Sequence, residues 1–194
     1  MSQATDKKLI DSSVITFFSG KKEYRSLSNF WEYPVIVGDK KDKREYETGE
    51  HCFHGEKYIR IGRLSQDPTR KRELIRYGLT FIKPSKYKTS ADAKKKGGKS
   101  GLMLTAVELE DWAILSIHVQ YDISKYKFDT YQEVKDDLMN SKDKILVHPA
   151  LRMNEEKVAT RTWEGKAIIK EGVIEIIGKN MLGYTWMEIR NVYL

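Results

Sequence analysis

The chain has 194 residues, 40% hydrophobic and 32% charged, with 35 Lys and Arg against 28 Asp and Glu for a net charge of +7. That length suits one domain with a sizeable core, and 11% aromatic residues argue against a disordered chain. No apolar run approaches the ~20 residues that span a bilayer, and no signal-like apolar stretch follows residues 1–8.

Residues 1–13 are polar and read as a flexible tail, and residues 14–194 read as one domain. Val14-Ile15-Thr16-Phe17-Phe18 is β-branched and aromatic, the pattern of a first strand. Residues 28–31 form a polar-aromatic loop. Val35–Val37 reads as a short strand, followed by a charged turn over 38–43 that leads to Tyr46. Thr48 is placed to cap a helix over 49–61, with Gly62 to end it. Asp67-Pro68 predicts a second helix start, Leu74 and Ile75 supply its apolar face, and Gly78 is its stop. Seven lysines and one acid, Asp92, lie between Lys83 and Lys99, so this stretch carries +6 of the total +7. It reads either as a solvated loop or as an attractor for the phosphates of DNA, RNA or a nucleotide-like molecule.

Further on, residues 109–119 are apolar on nearly every side, which predicts a buried helix. Tyr131, Val134 and Leu138 mark an amphipathic helix. Lys166–Lys170 and Val173–Ile177 flank Glu171-Gly172, a hairpin signal. Residues 182–192, with Trp186, Met187 and Ile189, predict a last helix. No repeat or linker divides the chain. The expected class is α+β, a single helix-dominated domain with a small β-sheet and a C-terminal hairpin. The single cysteine, Cys52, cannot form an internal disulfide and points to a reducing, cytoplasmic setting.

At 100° per residue, the helix over 49–61 places Glu50, His54 and Lys57 within an arc of about 60°. Cys52, Gly55 and Ile59 fall opposite, where small residues can meet a core. A carboxylate, an imidazole and an amine on one rigid face can hold, protonate or attack a substrate. The same spacing also makes ordinary surface pairs. His51, Cys52 and His54 do not form a metal set, because helix neighbours point ~100° apart and no second cluster completes a tetrahedron. Trp112 and Trp186, in apolar helical contexts, are expected in the core. Trp31 and Trp163 lie in polar loops, where a ring can stack on a base or plug the edge of a core.

Phe17-Phe18, Ser28-Asn29-Phe30 and Tyr46-Glu47-Thr48-Gly49-Glu50-His51-x-Phe53-x3-Lys57 together resemble the front half of a NADAR domain. Ala93-Lys94-x2-Gly97 and Lys127-Phe128 fit the family pattern loosely. Gly178-Lys179-Asn180-x-Leu182-Gly183-x3-Met187-Glu188-x-Arg190 is similar to its ending, so the likeness runs over about 14–191. Thr160 stands three residues before Trp163, where the family usually has an acid.

The resemblance implies an N-glycosidase. Family members act on phosphorylated intermediates of riboflavin biosynthesis or remove ADP-ribose from guanine. Cleavage builds positive charge at the sugar C1′ and negative charge on the departing nitrogen. The resemblance implies Glu50 and Lys57 as catalytic, the first as carboxylate near C1′, the second as Schiff-base nucleophile or phosphate holder. Asn29, Phe30, Trp31, His51, Lys94, Trp163, Asn180 and Arg190 are expected around the substrate, with His54 added from its place on the helix face, since the family motif does not require a histidine there. No cofactor and no metal is implied, since hydrolysis needs only water and side chains. The expected substrate is an ADP-ribosylated guanine or a related ribosyl-phosphate derivative, with DNA or RNA contact through the lysines between Lys83 and Lys99. The alternatives are a riboflavin-pathway ribosylaminopyrimidine phosphate N-glycosidase, a non-catalytic ADP-ribose-binding module, and a basic nucleic-acid-binding protein.

Overall fold

Backbone hydrogen bonding over residues 3–193, the part that the computed structural model describes, defines α1 (Gln3–Ser13), β1 (Val14–Thr16), a 3-10 turn (Arg25–Leu27), β2 (Val35–Val37), β3 (Arg44–Tyr46) and α2 (Gly49–Leu64). There follow α3 (Pro68–Leu79), α4 (Ser90–Gly97), α5 (Ala106–Thr130), α6 (Gln132–Asn140), β4 (Ile145–Val147), α7 (Glu155–Ala159), β5 (Lys166–Lys170), β6 (Val173–Ile177) and α8 (Met181–Tyr193). Helices dominate and the described strands pair two by two, which is the expected α+β class. These elements group into two compact units, one made of the chain up to Ser28 with Tyr131 onward, the other of Asn29–Thr130.

In the first unit β1 and β4 run parallel, Val14 opposite Ile145 and Thr16 opposite Val147. Trp186 of α8 is fully buried, and its indole N–H donates to the Leu27 carbonyl at 2.8 Å, so the ring fills the core without leaving its one donor unsatisfied. Val134 and Leu138 bury the apolar side of α6. β5 and β6 form the expected hairpin, with Glu171 and Gly172 both at positive φ, as a two-residue turn requires. The stretch read as a flexible tail is helical over 3–13, where neither glycine nor proline interrupts it; Met1 and Ser2 lie outside the described residues.

The second unit sets the β2–β3 hairpin against helices α2 to α5. Thr48 caps α2 by accepting the His51 N–H, and Asp67 caps α3 by accepting the Thr69 N–H, with Pro68 in the first turn. Cys52 and Ile59 are buried on the inner face of α2, as their spacing predicts. The two glycine stops fall elsewhere than expected: α2 runs on to Leu64 and α3 to Leu79. Gly78 serves packing instead, since a Cβ there would stand 2.7 Å from Ile59 Cγ1 and 2.8 Å from the Gly55 carbonyl oxygen of α2.

The largest correction concerns α5. Residues 109–119 are helical, but Leu109, Ile114 and Ile117 are exposed, Ile114 at 66%. The buried face begins at Ser116 and continues through Val119, Gln120, Ile123, Ser124 and Lys127. Residues of mixed polarity are covered because α2 and β2 lie against that part of the helix. Trp112, expected in the core, is half-buried, with its ring edge-on to Phe53 at 4.9 Å.

Candidate active site

The chemistry-bearing face of α2 lies in the second unit. The Glu50 N–H donates to the Asn29 carbonyl at 2.9 Å, which ties the loop after Ser28 to the start of the helix. Glu50 occupies the second helical position, where the positive end of the helix dipole favours a carboxylate. Its Oε1 lies 3.1 Å from His54 Nε2. An ionised carboxylate only accepts, so this pairing places the imidazole proton on Nε2. His54 Nδ1, buried, has no hydrogen-bond partner among the described residues.

One turn further along, Lys57 is 8% exposed, and its ammonium donates to the Gly97 carbonyl. Among the described residues no carboxylate pairs with it. Burial lowers the ammonium pKa to about 8, because desolvation penalises the charged form. The ammonium also lies 4.8 Å from the Tyr58 ring centre, and Glu50 stands two turns before Lys57, with its Cα ~10 Å along the axis. Glu50, His54 and Lys57 thus form the joint face that their spacing predicts.

Gly97 is the position beside this face that the sequence signals only weakly. The basic stretch folds into α4, with Thr89 capping it by accepting the Asp92 N–H. Gly97 ends this helix and lies on the His54 ring; a Cβ would stand 2.0 Å from His54 Cγ and Nδ1. Without a side chain, its backbone comes close enough for the carbonyl to hold Lys57. The available signal was Gly97-Gly98 directly after three lysines, a glycine pair where a backbone must approach closely.

The remaining predicted residues of this unit divide. His51 belongs to the framework. Its Nε2 donates to the Tyr87 carbonyl at 2.9 Å, and its Nδ1 therefore accepts from the Thr48 hydroxyl at 2.9 Å. With both nitrogens engaged, it pins α2 to the segment before α4. Asn29 is likewise held, its amide exchanging two hydrogen bonds with Gln120 of α5 at 2.7 and 3.1 Å. Its contribution is the backbone carbonyl under Glu50. Trp31 is buried, stacked on Tyr33 at 3.9 Å, with the Lys127 ammonium 5.4 Å from its ring centre. Phe30 is half-buried, and the exposed Lys94 places its ammonium 5.5 Å from that ring.

Three predicted site residues fall in the first unit. Trp163 is half-buried, three residues before β5. Asn180, at the start of α8, donates through Nδ2 to the Leu146 carbonyl at 2.8 Å and accepts the His148 N–H through Oδ1 at 3.0 Å. The expected role of presenting that amide to a substrate gives way to one of holding β4. Arg190, expected near a phosphate, donates to Ser141 Oγ at 2.7 Å and to the Lys144 carbonyl at 2.9 Å. It secures the turn before β4, and these contacts are to the protein itself.

A second buried charge cluster occupies another side of α2. Glu56, with 0% of its surface exposed, accepts from Arg44 at 2.7 and 3.1 Å, from the Tyr46 hydroxyl at 2.6 Å and from Arg60 at 3.0 Å. Burial acts to raise its carboxyl pKa, but the Arg44 and Tyr46 hydrogen bonds outweigh it and hold the group below the ordinary range. Arg60 passes the chain on to Asp122 of α5 at 2.7 Å.

Among the described residues no group of three His, Cys, Asp or Glu side chains converges as metal ligands, and no helix is long and apolar enough to cross a membrane. Among curated proteins none matches this chain. Among solved structures, the NMR structure of the E. coli protein YbiA is similar, with a TM-score of 0.56 and 23% identity over 93% of this chain and 84% of that one. At that identity the likeness speaks for the fold. The model of the NADAR domain matches residues 16–192, through both units. Membership in that family points to N-glycosidase-like chemistry on nucleotide-derived substrates. With nearly its whole length matched, the chain belongs to the NADAR domain family.

Proposed function

We propose that this protein is an N-glycosidase that hydrolyses the bond between ribose and base in an ADP-ribosylated guanine or a related ribosyl-phosphate derivative. The observation that carries the reading is Lys57, a buried amine with its pKa lowered to about 8, on one helix face with Glu50 and His54. A lysine so placed is neutral in part of the population near neutral pH and is then a nucleophile. Its lone pair attacks C1′ as the bond from C1′ to the base nitrogen breaks and that nitrogen takes a proton. The Glu50–His54 pair is the acid–base couple of the face that can carry this proton, while the Glu50 carboxylate offsets positive charge at C1′. Ring opening then gives an imine on Lys57. Water adds to it, releasing the free sugar and the amine. A cytoplasmic setting belongs to the same reading and is supported by Cys52, single and buried.

The test uses guanine-ADP-ribosylated DNA and ribosylaminopyrimidine phosphate in parallel, with released base or sugar read by mass spectrometry. Wild-type protein releases free ADP-ribose from the first and restores the unmodified guanine in the strand, and Glu50→Gln lowers the rate by about 10²–10⁴-fold. Borohydride traps a sugar adduct on wild type and none on Lys57→Ala. Activity rises with pH and levels off above about 8, since the deprotonated amine is the reactive form. Release from the pyrimidine alone would transfer the activity to the riboflavin-type substrate. Tight ADP-ribose binding without release from either would make the protein a reader.

A further inference from the structure

Arg70, Arg72 and Arg76 lie on the same helix, α3, and the first differs from the other two. Arg70 grips Glu108 with two hydrogen bonds of 2.8 Å, Glu73 at 2.6 Å and the Met103 carbonyl at 2.7 Å. Arg72 and Arg76 are exposed and have no hydrogen-bond or ion-pair partner among the described residues. They are four apart, so their guanidinium groups share one face. That face lines a surface cleft of about 610 Å³, within the range of small-molecule sites. Tyr77 and Leu102 give the cleft apolar walls, and its one acid, Glu73, is already held by Arg70. Tyr77 is fixed by its hydroxyl, which donates to the Lys96 carbonyl at 3.0 Å, and by edge contact with Tyr58 at 4.7 Å. The basic end of α4 is thereby brought beside the cleft and adds positive potential.

We infer that this cleft is a second ligand site, taking a nucleoside monophosphate with its phosphoryl group on Arg72 and Arg76 and its base against Tyr77 and Leu102. Two adjacent guanidiniums match a phosphoryl group by forked, charge-assisted hydrogen bonds, which lysines do not reproduce. The cleft shares no lining residue with the Glu50, His54 and Lys57 face, so the inference stands apart from the glycosidase reading. The two places are nonetheless neighbours in the chain: the Lys96 carbonyl holds Tyr77, and the next one, of Gly97, holds Lys57.

The experiment is calorimetric titration of the full chain with adenosine 5′-monophosphate, adenosine and a short single-stranded oligonucleotide. Wild type, Arg72→Gln/Arg76→Gln and Glu50→Gln are compared, with circular dichroism to show that each is folded. The monophosphate binds wild type and Glu50→Gln alike, and the arginine double variant weakens it by roughly tenfold or more. Adenosine, without the phosphoryl group, is weakened by the double substitution much less. Equal binding to wild type and the double variant, or adenosine binding as well as its monophosphate, would overturn the assignment. Oligonucleotide binding that needs both arginines while the monophosphate fails to bind would also overturn it, and make the cleft part of a strand track.

Discussion

On one side of α2, the Glu56 carboxylate is enclosed by Arg44, Tyr46 and Arg60, with each oxygen accepting more than one hydrogen bond. The next residue, Lys57, points to another side of the helix and is also buried, but its ammonium has the Gly97 carbonyl and among the described residues no carboxylate. Both clusters bury charge on the same rigid helix. In the first, the partners compensate the desolvation and the carboxyl pKa falls below its ordinary range. In the second, desolvation wins and the ammonium pKa falls to about 8. The lesson is that burial alone does not mark a site. A buried charge whose hydrogen bonds are complete keeps its charged form, and one left incompletely compensated has that form penalised.

The comparison breaks most visibly at Glu56. Glu56→Ala leaves Arg44 buried without its carboxylate and costs about 3–5 kcal/mol of stability in urea unfolding. The wild-type contribution is complete above the ordinary glutamate pKa and is lost as pH falls through the lowered value, because the folded state holds the proton less readily than the unfolded chain. A loss below about 1 kcal/mol would remove the distinction between the clusters.

Lys57→Met sharpens the contrast from the other side. Holding the ammonium charged at pH 7 opposes folding by about 3 kcal/mol, set by the distance from 10.5 to about 8. Methionine removes that opposition but also the bond to Gly97, for a net stabilisation of about 1–2 kcal/mol with activity abolished. In wild type the opposition is greatest below about 8 and fades as pH rises to the unfolded value, so the stability gap between the two proteins closes toward pH 10.5. A destabilised Lys57→Met at pH 7 would argue that Lys57 is a structural cation like Arg44.

The smallest effect is expected at Gly97. Alanine there puts a Cβ against the His54 ring, which has to turn or push α4 outward. The Lys57 carbonyl partner moves with it, and kcat falls by roughly tenfold while the melting temperature shifts by only a few degrees. The telling readout is the pH profile, whose midpoint moves from about 8 toward the ordinary lysine value as water reaches the amine. An unmoved midpoint would mean that α4 does not govern the environment of Lys57.

Much of the framework was legible because its signals are local. Thr48 and Asp67-Pro68 start their helices by satisfying N–H groups within the next few residues, and Glu171-Gly172 turns a hairpin within two. The Glu50, His54 and Lys57 face followed from the helical period alone. Hydrophobicity misled on α5, where Ile114 is exposed while Lys127 is buried, because coverage depends on which elements lie against the helix. Asn29, His51, Asn180 and Arg190 carry the residue types that a binding site needs, and each side chain hydrogen-bonds to protein partners, Arg190 through Nη1 alone. Nothing in their identity distinguishes the two uses.

What the sequence by itself determined, then, is what neighbours along the chain can enforce: helix starts, the hairpin turns, a polar face on α2, and a run of lysines. What only the tertiary structure decided is the state of those groups. Gly97 reaches Lys57 across 40 residues, Arg44 reaches Glu56 across 12, and Gln120 reaches Asn29 across 91. The balance between desolvation and hydrogen bonding at each charge depends on those distant partners, and that balance separates an amine of lowered pKa from a structural ion pair.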